Sequence, residues 1–322
     1  MTDALQQCIN YGGNTRRQKF LSLLYPSLGI QPGIESIVKP CKAPRQQVVI
    51  EAYSGSNAQV LELSTYLGKH LSNDLFAAVV HGSLATNDEV NYSDFDALIV
   101  VKDKVLQDEK RLRKVAKKLC KAQYILRKQD ALQHHGWMLL GEFELLNYDP
   151  NFLPLETLSC ARSILGNMTI TMEVALSNKV GAKEFVEHLC HSIASKLNNP
   201  RLYKSAYFLK AMLSELMLVP AVVYQTKFGT GLYKKDSFEL MKPHFSAKEW
   251  NAIESATEIR KIWPVYRSVE ISFLNAINPL LAANRAKRKN WKVPAEIVAK
   301  LDEDFFKSIR AFLVKSNQIA AV

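Results

Sequence analysis

Two aspartates separated by one residue, Asp94 and Asp96, are the residues of this chain whose type and spacing are best suited to chemistry. They lie between two apolar runs of strand length, residues 75–80 and 97–101, and such runs bounded by polar loops predict buried strands. Side chains alternate along a strand, so both carboxylates should share one face about 7 Å apart, which is unfavourable without a cation between them. Magnesium takes oxygen ligands and needs few protein carboxylates. The pair therefore predicts a magnesium site, which we expect on an edge strand of a small mixed sheet.

The first apolar run ends in a turn, His81-Gly82-Ser83, and ten residues lie between Ser83 and Asp94. Glycine has no Cβ, so the backbone amides of this turn and the serine hydroxyl can approach a phosphate closely. A phosphate-binding turn beside a two-carboxylate metal site is what nucleotidyl transfer requires. The alternative is an ordinary turn and two surface aspartates, but aspartate is depleted in strands. We therefore predict that Gly82 and Ser83 bind a nucleotide.

The pattern Gly-Ser, ten residues and Asp-x-Asp between apolar runs resembles the signature of the DNA polymerase beta-like nucleotidyltransferase superfamily, over about residues 75–101. The resemblance implies an enzyme that uses Mg²⁺ or Mn²⁺ and a nucleoside triphosphate. It would transfer a nucleoside monophosphate to a hydroxyl and release pyrophosphate, with Asp94 and Asp96 as catalytic metal ligands. It also implies an α+β fold, in which a small mixed β-sheet domain with flanking helices is followed by an all-helical domain.

A third carboxylate, which the superfamily usually carries on a neighbouring strand, has no obvious counterpart here. Residues 130–140 form the next stretch typical of a strand, and they include Asp130, His134 and His135. Asp130 is the conservative choice because magnesium prefers oxygen ligands, whereas a neutral histidine can act as a general base. We expect one of the three within about 6 Å of the aspartate pair. Glu142 and Glu144, on a further strand-like segment, are additional candidates, and adjacent histidines can also be surface residues.

The chain changes character after residue 155, where apolar residues begin to recur at helical spacing. We predict a catalytic domain over residues 1–155, with an irregular N-terminal segment, and a helical domain over residues 156–322. The superfamily's domain plan implies that basic residues of the helical domain bind the triphosphate. Lys204 and Lys210, which flank Tyr207, are the candidates. Lys234 and Lys235, in a loop after two glycines, are equally consistent with a phosphate contact or a simple turn.

The net charge of +11 is concentrated in two basic runs. Residues 102–128 carry eleven lysines or arginines against three acids, and residues 285–292 form a second run that contains Trp291. Such runs attract polyanions, and an exposed aromatic side chain among them could stack on a base. The basic runs are consistent with RNA as the acceptor, whereas the size and the helical second domain resemble the small-molecule-modifying branch of the superfamily as much, and the sequence leaves the acceptor open. Both runs are equally compatible with solvated surfaces, and the second, placed before Pro294, is typical of a linker or an exposed loop.

Five scattered cysteines without a C-x-x-C pair are typical of reduced thiols in a cytoplasmic protein. Neither a signal peptide nor a run of eighteen apolar residues is visible, which predicts no membrane span. Two functions remain open. The first is an active nucleotidyltransferase. The second is a catalytically weak protein of the same fold that binds nucleic acid or regulates a partner, which the absence of an obvious third acid favours.

Overall fold

The computed structural model describes residues 42–128, 130–134, 136–150, 152–166, 168–176, 182–199 and 204–321. Its architecture is α+β, with a small amount of sheet and many helices, as the sequence predicted. The strands are β1 (Gln46–Ile50), β2 (Leu75–His81), β3 (Asp96–Val101), β4 (Met138–Gly141), β5 (Arg162–Ser163) and β6 (Ile170–Val174).

The strands form a four-stranded sheet in the order β4-β3-β2-β5 and a separate pair, β1-β6. The β3-β4 pair is parallel, and the other pairs are antiparallel, so the larger sheet is mixed, as predicted. The prediction of an edge strand for the aspartates was wrong, because β3 pairs with a neighbour on each side. At the first residue of β3, Asp96, only β2 is paired, because the pairing with β4 begins at Leu98.

The helices of the described chain surround and follow the sheet. Those up to residue 159 are α1 (Ala58–Leu71), α2 (Ser83–Thr86), α3 (Asp103–Leu106), α4 (Glu109–Leu126) and α5 (Leu155–Ser159). The later ones are α6 (Ala182–Leu197), α7 (Ala206–Leu216), α8 (Val219–Phe228), α9 (Asp236–Met241), α10 (Ala247–Lys261), α11 (Val269–Ile277), α12 (Pro279–Arg288), α13 (Ala295–Val298) and α14 (Glu303–Ala320).

Local sequence signals explain where several helices begin. The Asn57 side chain accepts hydrogen bonds from the backbone amides of Gln59 and Val60, so it caps α1. Ser246 and Glu249 form a capping box at the start of α10. After Pro294 the chain forms two helices, α13 and α14, because Asp302 caps the second one.

The segment after α4 contains less strand than the sequence pattern suggested. Of residues 130–140, β4 includes only those from Met138 onward, and a 3₁₀ helix (Glu142–Asn147) replaces the predicted strand that follows. Side chains provide the reason, because Asp103 accepts a hydrogen bond from the Phe143 amide and Glu144 accepts one from the Gly141 amide. Side-chain oxygens thus accept the hydrogen bonds that these backbone amides would otherwise donate to a neighbouring strand.

The second basic run was predicted to be a linker or an exposed loop, and this was wrong for its first half, since residues 285–288 belong to α12, whereas residues 289–292 lie in a loop. Trp291 is buried, and its indole Nε1 donates to the Ala286 carbonyl oxygen at 2.8 Å. Arg285 and Lys289 both pair with Glu270. Trp291 is therefore unsuited to stacking on a nucleic-acid base.

A single stretch of the described chain, Ala206–Phe228, has the length and composition needed to cross a membrane. It comprises α7 and α8, and 67% of its most apolar window is buried inside the protein. Leu209 and Leu213 are fully buried in the core of the helical half. Length and composition alone therefore do not distinguish this stretch from core helices.

Candidate active site

Gly82 and Asp96 lie side by side because β2 and β3 pair with His81 opposite Asp96. Gly82 follows directly and has φ +68°, a left-handed conformation that L side chains rarely adopt. A Cβ added there would lie 3.2 Å from Asp96 Oδ2. Ser83 is half-buried and begins α2. The strand register therefore brings the glycine turn and the second aspartate of the sequence pattern together.

Replacement of Gly82 by valine should disrupt this contact. The branched side chain would be strained at the positive φ and would press against the Asp96 carboxylate. We expect nucleotide affinity, measured by calorimetry, to fall by about tenfold or more. Gly229 is the matched control, since its φ is +71° but a Cβ there would meet nothing within 4 Å. Equal affinity losses in Gly82→Val and Gly229→Val would contradict a specific role for Gly82.

Lys210 connects Asp94 to Asp130. Its Nζ donates to Asp94 Oδ1 and to Asp130 Oδ2, both at 2.7 Å. The lysine side chain is 0% exposed, and those of Asp94 and Asp130 are 7% and 3% exposed. Lys210 belongs to α7, whereas Asp94 precedes β3. The bridge therefore holds a helix of the second half against the strand that begins at Asp96.

The segment that carries Asp130 is held beside the aspartates by a side-chain amide. Gln133 Oε1 accepts from the Phe95 amide at 2.8 Å, and Gln133 Nε2 donates to the Phe95 carbonyl at 3.0 Å. Asp130 Oδ1 accepts from the Leu132 amide at 2.9 Å. Gln133 thus makes with the Phe95 backbone the two hydrogen bonds that a neighbouring strand would make. Asp130 reaches the site from a turn, not from the predicted strand.

The charges of this buried group act on one another. Burial alone would lower the pKa of Lys210, but the adjacent charges of Asp94 and Asp130 outweigh it and raise the pKa above its usual value. Burial raises the pKa of Asp130 despite the opposing effect of Lys210. The lysine therefore remains a cation near neutral pH and compensates the buried carboxylates.

The strand position suited to a third carboxylate holds Met138. Asp96 shares a face of β3 with Leu98, and Met138 is the partner of Leu98 on β4. Met138 Sδ lies 3.3 Å from His81 Nε2 on the same face. Glu142 and Glu144 follow the opposite end of β4, about five residues or 16 Å along the strands from Asp96. Neither glutamate is placed to complete the site.

His134 lies beside the first aspartate, with Nδ1 3.9 Å from Asp94 Oδ2. Its Nε2 lies 2.9 Å from the Tyr207 carbonyl oxygen. A carbonyl only accepts hydrogen bonds, so Nε2 carries a proton. The imidazole also packs on the Tyr207 ring, with 4.4 Å between centroids. His135, the other candidate base, lies outside the described residues.

Further cations act on the carboxylate pair. Burial and then the charge of Arg260 lower the pKa of Lys234, while Asp96 and Asp94 oppose that shift. The Arg260 guanidinium lies 4.9 Å from the Tyr92 ring centroid. From the sequence, Lys234 was either a phosphate contact or part of a simple turn. No sequence pattern indicated Arg260, which lies within an ordinary amphipathic helix. Lys204 is exposed, and no contact in the described part of the chain joins it to the aspartates.

The residues present fit a divalent metal bound together with a nucleotide. In the described part of the chain, three or more histidine, cysteine, aspartate or glutamate side chains never gather as a metal site. Magnesium, however, is commonly held by one or two carboxylates, with phosphates and water completing the coordination. Asp94 and Asp96 are the two carboxylates for that role. Because the Lys210 ammonium lies next to Asp94, a bare cation would be repelled, and a nucleotide should strengthen metal binding.

Comparison with known proteins shows neither a family nor a reaction for this chain. No family model matches the chain, and no curated protein matches it. Among solved structures, the chain is similar to spectinomycin adenyltransferase AAD(9) from Enterococcus faecialis, crystallised with ATP and spectinomycin. The alignment covers 73% of this chain and 100% of that one, with 12% identity and a TM-score of 0.37. A likeness of this strength says nothing about which reaction this chain catalyses.

Proposed function

We propose that this protein is a metal-dependent nucleotidyltransferase that uses a nucleoside triphosphate and a hydroxyl acceptor. The observation that carries the proposal is the contact between the Gly82 turn and Asp96, with Asp94 two residues earlier and Lys234 acting on the same pair. A backbone without a Cβ, two carboxylates and a cation are the groups that a magnesium–triphosphate complex requires.

Each group has a separate task in nucleotide binding. Asp94 and Asp96 would hold the metal, and Gly82 and Ser83 would let phosphate oxygens approach the backbone. Lys234 and Arg260 would neutralise phosphate charge, whereas Lys210 is engaged with Asp94 and Asp130 and serves to position Asp94. When bound, the metal would neutralise charge that develops on the phosphates and lower the pKa of the attacking hydroxyl.

Transfer would proceed in line. The acceptor oxygen forms a bond to the α-phosphorus, the bond from that phosphorus to the bridging oxygen breaks, and pyrophosphate leaves. The hydroxyl proton needs a base. Asp130 is unsuited to this because Lys210 and the Leu132 amide hold both of its oxygens. We assign the role of base to His134, whose Nδ1 faces Asp94. That His135 serves as the base stays a prediction, since it lies outside the described residues.

The proposal is tested by titrating the protein with non-hydrolysable analogues of ATP, GTP, CTP and UTP, with and without magnesium. At least one analogue should bind, and magnesium should strengthen its binding. Pyrophosphate release is then measured with RNA and with small hydroxyl compounds as acceptors. An Asp94→Ala, Asp96→Ala double variant should lose the magnesium effect. If none of the four analogues binds, the proposal is wrong.

Lys234→Gln should weaken binding of the preferred triphosphate by about ten- to a hundredfold, because a charge-assisted contact to phosphate is lost. Because the pKa of Lys234 is lowered, the side chain loses its proton at a lower pH than an ordinary lysine. Affinity for the triphosphate should therefore fall as the pH rises through that lowered pKa. Lys234→Arg should flatten that pH dependence because guanidinium does not titrate there. Calorimetry across pH 7 to about pH 9.5 measures both effects.

The control for Lys234 is its neighbour Lys235. Lys235 is exposed and pairs with Asp88 at 2.9 Å, so Lys235→Gln should leave affinity within about twofold of the wild type. An affinity loss of similar size in both variants would indicate a general charge effect and contradict a direct contact by Lys234.

A catalytically weak nucleotide-binding protein is the second candidate function. Two observations favour it, namely the engagement of Asp94 by Lys210 and the methionine at the strand position suited to a third acid. Such a protein would bind a triphosphate analogue but release no pyrophosphate with any acceptor. The titration and the release assay together therefore separate the two functions.

A further inference from the structure

Arg127, which follows the end of α4, is a buried cation that no acidic side chain of the described residues contacts directly. The residue is 8% exposed, and its Nε and Nη1 atoms are buried with no hydrogen-bond partner among the described residues. Burial lowers the pKa of Arg127, with opposing effects from Tyr207, Cys120 and Asp94. A guanidinium nevertheless stays protonated in proteins. The charge is therefore retained in a place where water is largely excluded.

Retention of such a charge is costly for a folded protein. Buried charges are normally paired and hydrogen-bonded, because the loss of hydration otherwise opposes folding. Arg111, in the same helix α4, is by contrast partly exposed and pairs with Asp74 at 2.7 Å. Groups that reduce stability are characteristic of functional sites, where a ligand supplies the missing partner. For Arg127 the missing partner is an anion that can accept two hydrogen bonds.

The neighbours of Arg127 place it near the reacting groups but apart from the cations assigned to the triphosphate. Tyr207 and Asp94 both act on its charge, and His134 packs on the Tyr207 ring. The charges that act on Lys234 are those of Arg260, Asp96 and Asp94, so Lys234 shares only Asp94 with Arg127. Arg127 is thus associated with His134, the assigned base, and not with the proposed phosphate contacts.

We propose that Arg127 binds an anionic group of the acceptor, a phosphate or a carboxylate carried by a small hydroxyl compound. This rests on the proposed function and specifies its second substrate. A planar guanidinium whose Nε and Nη1 donors are unpaired suits the recognition of either anion through charge-assisted hydrogen bonds. The bound anion would supply the counter-charge, and the hydroxyl of the same molecule would lie toward Asp94 and His134.

The charge and burial of Arg127 argue against the other acceptor classes. A cationic acceptor would be repelled by Arg127 and Lys210, both of which lie in the buried surroundings of Asp94. An RNA backbone carries many phosphates and is normally followed by an exposed basic groove, whereas Arg127 is a single cation that is mostly enclosed. A compact anion matches this enclosure.

Four hexoses of similar size but different charge provide the test: glucose 6-phosphate, glucuronate, glucose and glucosamine. Their binding is measured by calorimetry and by thermal shift on protein saturated with magnesium and the preferred triphosphate analogue. If no analogue binds, the proposed function has failed. The same hexoses are then titrated into Lys234→Gln protein, in which Lys234 can no longer bind their anionic groups, so the Arg127 site is still tested. RNA oligonucleotides form a fifth arm.

The expected result is binding of glucose 6-phosphate or glucuronate, without measurable binding of glucose or glucosamine. Arg127→Met should weaken anion binding by about tenfold or more, whereas Arg111→Met should leave it unchanged. Arg127→Met should also melt no lower than the wild type, because it removes an unpaired buried charge. Arg127→Lys, which keeps the charge but not the fork, should bind anions with intermediate affinity.

Several outcomes would overturn the proposal. They are the absence of an anion response in the wild type, an equal response in Arg127→Met, preferential binding of glucosamine, and binding of RNA that depends on Arg127 while the hexoses do not bind. A melting temperature of Arg127→Met well below that of Arg111→Met would identify Arg127 as a structural residue and have the same consequence.

Discussion

Replacement of Asp96 by asparagine is expected to reduce pyrophosphate release by at least about 10²- to 10³-fold while leaving the fold intact. The amide keeps the shape of the side chain but removes the charge that would hold the metal, and losses of single electrostatic groups at active sites have this size. Asp96 is half-buried and lies next to the Gly82 turn. The free energy of unfolding should change by less than about 1 kcal/mol.

The measurements for Asp96→Asn are the rate of pyrophosphate release, the magnesium dependence of nucleotide binding, and a denaturant unfolding curve. Asp304→Asn, at an exposed position in α14, is the matched control and should retain full activity. A variant that unfolds more easily by several kcal/mol would identify Asp96 as a structural residue. Undiminished release would contradict its role as metal ligand.

Replacement of Lys210 by methionine is expected to lower the free energy of unfolding by about 3–5 kcal/mol, the usual cost of removing one partner from a buried ion pair. Methionine fills a similar volume but leaves the carboxylates of Asp94 and Asp130, 7% and 3% exposed, without the ammonium that bridges them. Activity should fall as well, because Asp94 loses the contact that positions it. Denaturant unfolding at neutral pH measures the stability change.

The pH dependence of Lys210→Met provides a check specific to the buried charge. Burial raises the pKa of Asp130 even with Lys210 present, and loss of the lysine should raise it further. An acid with a raised folded-state pKa contributes most to stability below its unfolded value of about 3.9 and loses that contribution as pH rises. The deficit of the variant relative to the wild type should therefore shrink as the pH is lowered from 7 toward 4.

Two further proteins complete the Lys210 experiment. Lys196→Met removes a lysine whose pair with Glu215 is partly exposed, and it should cost only about 0–1 kcal/mol. Adding Asp130→Asn to Lys210→Met should recover part of the lost stability, because it removes one of the two uncompensated charges. A deficit of the single variant that is small and independent of pH would mean that the bridge contributes little.

Features that depend on residues close together in the chain could be predicted from the amino-acid sequence. The apolar runs before Gly82 and after Asp96 form β2 and β3, and their hairpin-like pairing brings the glycine and the aspartate together. The cap at Asn57 and the capping box at Ser246 were also predictable, because a cap joins residues two or three positions apart. Such features need only the local chain, so their pattern is visible in the sequence.

The charged side chains that surround the aspartates could not be predicted in this way, because packing between distant elements brings them there. Lys210 is 116 residues from Asp94 along the chain and 80 from Asp130, and no spacing rule connects positions so far apart. The same holds for Arg260 and for the buried, unpaired Arg127, which in the sequence is one of many basic residues in a run. Burial and partner are properties of packing between distant elements, and for a charged residue these properties determine both its pKa and its role.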